Sequence, residues 1–175
     1  MRFSTQIRIA AEQVPLYASR YSHPLEPTVE ALVADVRTRG FLTKSDLTVV
    51  GEWKSPRVRS RIAKNAEEEV RETTRLALET RSVRLSVHVL QALSGTGMPV
   101  ASTILHWFHP DPYPILDFRA LWTLGVEMPS LYNLDFWEGY VMATRELAGT
   151  WGVDMRTLDR ALWQYSSEHQ EPNSG

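Results

Sequence analysis

Gly95 and Gly97 stand two apart in the stretch LSGTGMP, residues 93 to 99, and Asp117 follows in ILDFRALW, residues 115 to 122. Two glycines let a backbone take positive φ and approach a partner closely, and Pro99 suits a first helical turn because it has no N–H to lose. N–H groups at the start of such a helix point outward from the positive end of its dipole, an arrangement that takes an anion such as phosphate. The positions this assigns to an anion site are Gly95, Thr96, Gly97, Met98 and Ala101. The same glycines equally suit a tight corner between two helices with no ligand at all. Asp117 precedes FRALWTLG, where Asp is a favoured N-cap and the helix dipole favours the carboxylate. A carboxylate held there can stabilise positive charge developing on a reacting carbon and orient an attacking water. Capping alone and capping with catalysis are the two roles open to it.

Other constellations carry less. His106, His109 and Asp111 lie close together, but Pro110 and Pro112 break their spacing and no fourth ligand is evident, so no metal is assigned. With zero cysteines there is no disulfide framework, thiolate zinc site or iron–sulfur cluster. No nucleophile elbow, phosphate-binding lysine motif or dinucleotide fingerprint occurs, and no cofactor is expected.

The elements that must position these residues are helical. EPTVEALVADVRTRG puts Pro27 in a first turn, Val29, Leu32, Val33 and Val36 on one face, and Gly40 at the stop. Thr43 to Asp46 makes a capping box ahead of Leu47, Val50 and Trp53, and Pro56 ends that helix. Asn65 with Glu68 opens AEEEVRETTRLALET, whose charges form a solvated face. Ser82 begins a helix with Leu85, Val89, Ala92 and Leu93 on its apolar face; Asp135 begins another; Asp154 begins a third with Leu158, Ala161, Leu162 and Tyr165. Without a strand pair, a hairpin dipeptide or a repeat, the fold class is all-α, with a helical hairpin at 84–108.

The chain has 175 residues, 43% hydrophobic, enough for one domain over 1–170 with a sizeable core; residues 171–175, EPNSG, suit a flexible tail. Neither a leader's apolar segment nor a bilayer-length apolar run is present, so a cytoplasmic protein with no membrane partner is expected. Net charge is −2, but residues 1–64 carry 11 Lys and Arg against 6 acids, while 65–175 carry 8 against 15. The acidic second half speaks against tight non-specific DNA binding, while a local cationic footprint stays open. That footprint is Lys54, Arg57, Arg59, Arg61 and Lys64; Lys54, Arg57 and Arg61 are the phosphate-contact candidates, with Arg57 and Arg61 expected on one helix face.

LSGTGMPVASTIL resembles the helix-hairpin-helix of the HhH-GPD superfamily of base-excision DNA glycosylases, whose usual form is Leu-Pro-Gly-x-Gly before an Ala- and Ile-rich helix. In that family a Gly/Pro-rich loop and then a catalytic Asp follow; here HPDPYPILD occupies the loop, and Asp117 lies 18 residues after Pro99, where bifunctional members carry a lysine. The match covers about a fifth of the chain and rests on turn, helix, loop and Asp in combination. It implies a monofunctional DNA N-glycosylase, hydrolysing a base from DNA with Asp117 as catalytic residue and the hairpin on the DNA backbone. Pro99 departs from the lysine of bifunctional members, Ser94 from the usual proline, and residues 1–80 do not align with the first subdomain. An enzyme that cuts a base from the stack needs an apolar slot and a wedge, for which Trp53, Trp107 and Tyr113 are candidates, although Trp53 fits better as an anchor beneath a solvated loop. The alternative is a non-catalytic helix-hairpin-helix module that binds DNA or a protein partner, or a domain whose hairpin is a structural corner.

Overall fold

The computed structural model describes residues 7–171, so the tail from 172 onward lies outside the described residues. The protein is all-α: ten α-helices and two 3₁₀ turns occur among the described residues, with no strand. Backbone contacts divide the chain into two compact units, His23–Ile115 and the described parts of Met1–Ser22 and Leu116–Gly175.

The His23–Ile115 unit holds α2 (Glu26–Arg39), α3 (Lys44–Lys54), α4 (Arg59–Ile62), α5 (Glu67–Glu79), α6 (Val83–Leu90) and α7 (Met98–Phe108). Pro27 lies in the first turn of α2, and Gly40 caps its end at φ 78°. Thr43 Oγ1 accepts from Asp46 N while the Asp46 carboxylate accepts from Thr43 N at 2.8 Å, closing the expected box on α3. Every residue of α7 but Pro99 and His106 is buried, and the helix packs against α2, α3, α5 and α6. Its two internal hydroxyls, Ser102 and Thr103, donate back to Pro99 O at 2.7 and 2.9 Å, which lets polar side chains stand in the core without a stranded donor.

Ala66, not Asn65, is the N-cap of α5, and Glu69, not Glu68, closes the box by accepting from Ala66 N at 2.8 Å. Ser82 does cap α6, accepting from Leu85 N, yet the buried face is Ser86, Val87 and Leu90, with Leu85 41% exposed. The polar Ser86 can turn inward because its hydroxyl is satisfied by Val83 O at 3.1 Å.

The other unit holds α1 (Val14–Arg20), α8 (Phe118–Thr123), α9 (Leu134–Trp151) and α10 (Met155–His169). Helix α10 packs against all three others. Trp137, Tyr140, Val141, Leu158, Ala161 and Leu162 form the core of this unit, and Val141, Leu158 and Leu162 each contribute about 1.5–3 kcal/mol by burial. Asp154 caps α10 as expected, accepting from Thr157 N at 2.8 Å. Helix α9 starts earlier than expected: Asn133 caps it, accepting from Phe136 N at 2.8 Å, and Asp135 lies inside the first turn. No helix among the described residues is long and apolar enough to cross a membrane.

Candidate functional site

The glycine turn forms where Leu93 to Gly97 must reverse the chain between α6 and α7. Gly95 sits at φ 85°, and a Cβ there would meet Ile62 Cγ1 at 2.9 Å and Ile62 N at 3.1 Å. The turn therefore presses onto the backbone of α4, an approach that only glycine permits. Gly97 is the N-cap of α7 and is exposed, whereas Thr96, Met98 and Ala101 are buried. Of the N–H groups assigned to an anion, Thr96 N already donates to Leu93 O at 3.1 Å and Ala101 N to Gly97 O at 2.9 Å. Pro99 has none, so of the assigned positions Gly95, Gly97 and Met98 supply the remaining donors, beside Val100. The expected row of amides is thus shorter than the sequence suggests, because the turn satisfies part of it internally.

Asn65, placed at a helix cap by its sequence context, instead clamps this turn. It is 6% exposed; its Nδ2 donates to Ile62 O and Ser94 O, both at 3.0 Å, and its Oδ1 accepts from Ser94 N at 2.8 Å. All of its side-chain polar atoms face backbone groups, so it ties the end of α4 to the glycine turn.

Among the phosphate candidates, Arg57 and Arg61 are exposed and Lys54 is half-buried. Pro56–Val58 is a 3₁₀ turn that runs directly into α4 at Arg59, so Arg57 lies in the turn and Arg61 in the helix. Arg59 pairs with Glu52 at 2.7 Å. Trp53 and Trp107 are brought together edge-to-face with ring centres 5.9 Å apart, each 7% exposed, and His23 stands 5.0 Å from the Trp53 ring. Tyr113 is 1% exposed, and its hydroxyl meets Ser86 Oγ at 3.3 Å. These three aromatic residues lie inside the unit and reach solvent only slightly.

The proline-rich loop is braced by its histidines. His109 Nε2 donates to Thr80 O at 3.0 Å and its Nδ1 accepts from Asp111 N at 2.9 Å, a pair of bonds that requires the neutral ring. Burial lowers the His109 pKa below its ordinary value, against the opposing pull of those backbone contacts and of Asp111. His106 Nδ1 meets Tyr113 O at 2.7 Å, and Asp111 pairs with Arg81 at 2.5 Å. No group of three His, Asp or Glu among the described residues is arranged to hold a metal ion.

Asp117 is half-buried at the N-cap of α8, its Oδ1 accepting from Arg119 N at 2.9 Å. Its charge reaches two phenols. Tyr132 has its pKa raised by burial and then by Asp117; Tyr140, fully buried, has its phenol pushed well above the ordinary value by burial, then by Asp159, Asp117 and Tyr132. Asp159 in turn pairs with Arg156 at 2.8 Å, and the Arg156 guanidinium lies 5.3 Å over the Tyr21 ring. Neither phenol was a sequence candidate, and no local pattern marks them, since Tyr132 lies in a loop and Tyr140 at a helical core position.

No protein-family model, curated protein or solved structure compared with this chain matches it.

Proposed function

We propose that this chain is a DNA N-glycosylase-like protein that hydrolyses a damaged or modified base from DNA without a lysine nucleophile. The observation that carries the reading is a carboxylate, Asp117, capping α8 at the end of the loop that leaves α7, whose own start is the Gly95–Gly97 turn. In this reading the C–N bond to the base breaks as a C–O bond to water forms, and the water's proton leaves to the departing base or to solvent. Asp117 stabilises the positive charge that builds on the sugar and orients the water. Pro99 supplies no amine, so no Schiff base forms and the product is an abasic site. The exposed Arg57 and Arg61, with Lys54, supply phosphate contacts.

The test is base release from duplexes bearing alkylated, deaminated, oxidised or hypermodified bases, followed by alkali. Asp117→Asn keeps the cap's shape and removes the charge, so turnover should fall about a hundredfold or more while folding and DNA affinity hold. Release of no base from the whole panel, or an equally active variant, overturns the catalytic role.

One observation favours another reading, a domain whose hairpin is a structural corner. Gly95 is pressed onto α4 and part of the turn's amide row is used internally, as a structural corner requires. Under that reading Asp117→Asn is silent in every assay, and Asp117→Ala costs about 1 kcal/mol as a lost cap.

A further inference from the structure

Phe41, in the turn between α2 and α3, is surrounded by guanidinium groups. The Arg71 carbon lies 4.7 Å from its ring centre, Arg75 4.8 Å and Arg39 5.5 Å. Three like charges around one ring repel each other, and what offsets that repulsion differs among them. Arg39 is neutralised: it pairs with Asp46, and its Nε donates to Phe41 O at 2.8 Å. Arg71 and Arg75, four apart on α5 and so on one face of it, make no ion pair among the described residues. Their cation–π contact with Phe41 restrains both groups, and neither guanidinium makes a hydrogen bond among the described residues, which reduces the ordering that a bidentate oxyanion contact needs.

We propose that Arg71 and Arg75, held on Phe41, form a binding site for a phosphomonoester. Two unpaired guanidinium groups match the charge of about −1.5 to −2 that such a group carries near pH 7. Glu68, Glu72 and Glu79 lie beside the pair on the solvent side of α5 and are exposed. Their charge repels an extended polyanion laid along the helix and selects a compact ligand that presents a single terminal phosphate. The site shares no residue with the glycine turn or with Asp117, and stands whether or not those carry base excision.

Binding is measured with the full chain by titration calorimetry and phosphorus NMR. The probes are inorganic phosphate, a nucleoside 5′-monophosphate with its unphosphorylated nucleoside as control, and a short single strand with and without a 5′-phosphate. Saturable binding of the phosphorylated probes alone is expected; a mononucleotide that matches the phosphorylated strand identifies a free small ligand, and a strand that binds tighter identifies a nucleic-acid end. Arg71→Gln with Arg75→Gln should weaken binding about a hundredfold, because each charge-assisted contact is worth roughly tenfold. Phe41→Leu keeps both charges and loses the platform, so it should weaken binding by a smaller factor, while Glu72→Gln should tighten it. No saturable binding of any phosphate probe, or binding that survives the double arginine change in a folded protein, overturns the proposal.

Discussion

Removing the Asn65 side chain should loosen the glycine turn from α4 by a predictable amount. Asn65→Ala deletes three hydrogen bonds, to Ile62 O, Ser94 O and from Ser94 N, at a site 6% exposed. Such bonds contribute about 0.5–1.5 kcal/mol each, and stranded partners can raise the loss. Two circumstances hold it down: Ser94 is exposed, so water can reach its backbone, and Ile62 O keeps its bond from Asn65 N at 3.1 Å. The expected destabilisation is therefore about 2–3 kcal/mol, toward the middle of the possible range. Urea denaturation followed by tryptophan fluorescence should show a lower midpoint with an unchanged slope. Hydrogen exchange at the Ser94 amide should accelerate, which a general loss of stability elsewhere would not single out. Asn65→Asp is the sharper companion, because it keeps the acceptor for Ser94 N but turns a second oxygen toward two carbonyls. Its penalty should exceed that of alanine at neutral pH and shrink as acid protonates the new carboxyl. A loss under about 0.5 kcal/mol for Asn65→Ala, with Ser94 still protected, would refute the clamp.

Gly95→Ala should cost about 2–4 kcal/mol, since it combines a left-handed residue with a Cβ pushed into the Ile62 backbone, and denaturation of the purified variant measures it. His109 is held neutral with a lowered pKa, so its contribution to stability is fully present above the ordinary imidazole value of 6.5 and is lost as pH falls from there toward the lowered value. Melting profiles across that window should flatten in His109→Gln; an unchanged slope would show that another group sets it. If DNA binds, Arg57→Ala or Arg61→Ala should weaken it and reduce its salt dependence more than neutralising Glu67 and Glu68 does, and equal effects from both regions would move the footprint elsewhere.

What the sequence disclosed, and what it hid, follows from how local each signal is. Thr43, Ser82, Asp117 and Asp154 each accept an N–H two or three residues ahead, an arrangement written within one turn of chain, and all four appear where expected. Asn65 has the same chemistry but spends it on Ser94, 29 residues away, which no local window contains. Helix α1, with only seven residues, carries too little periodicity to declare itself. The inner face of α6 was misplaced because a serine counts as polar in any pattern, although its hydroxyl can be satisfied by its own helix. The candidate carboxylate and the glycine turn were visible; their surroundings were not. The phenols near Asp117, the arginines on Phe41 and the pressure of Gly95 on α4 all arise from residues far apart in the chain.

The division of the chain also sets an order of assembly during synthesis. His23–Ile115 is one unbroken stretch and can be complete as soon as it clears the ribosome. Helix α1 is translated before it, yet its partner is α10: Tyr17 packs edge-on against Tyr165 with ring centres 4.9 Å apart, and its hydroxyl meets His169 Nε2 at 3.4 Å across 152 residues. A seven-residue helix does not hold itself in water. Helix α1 must therefore wait, tethered to a folding neighbour, until α10 emerges, and translation arrested before α10 should yield a protected His23–Ile115 unit and a protease-sensitive α1 segment.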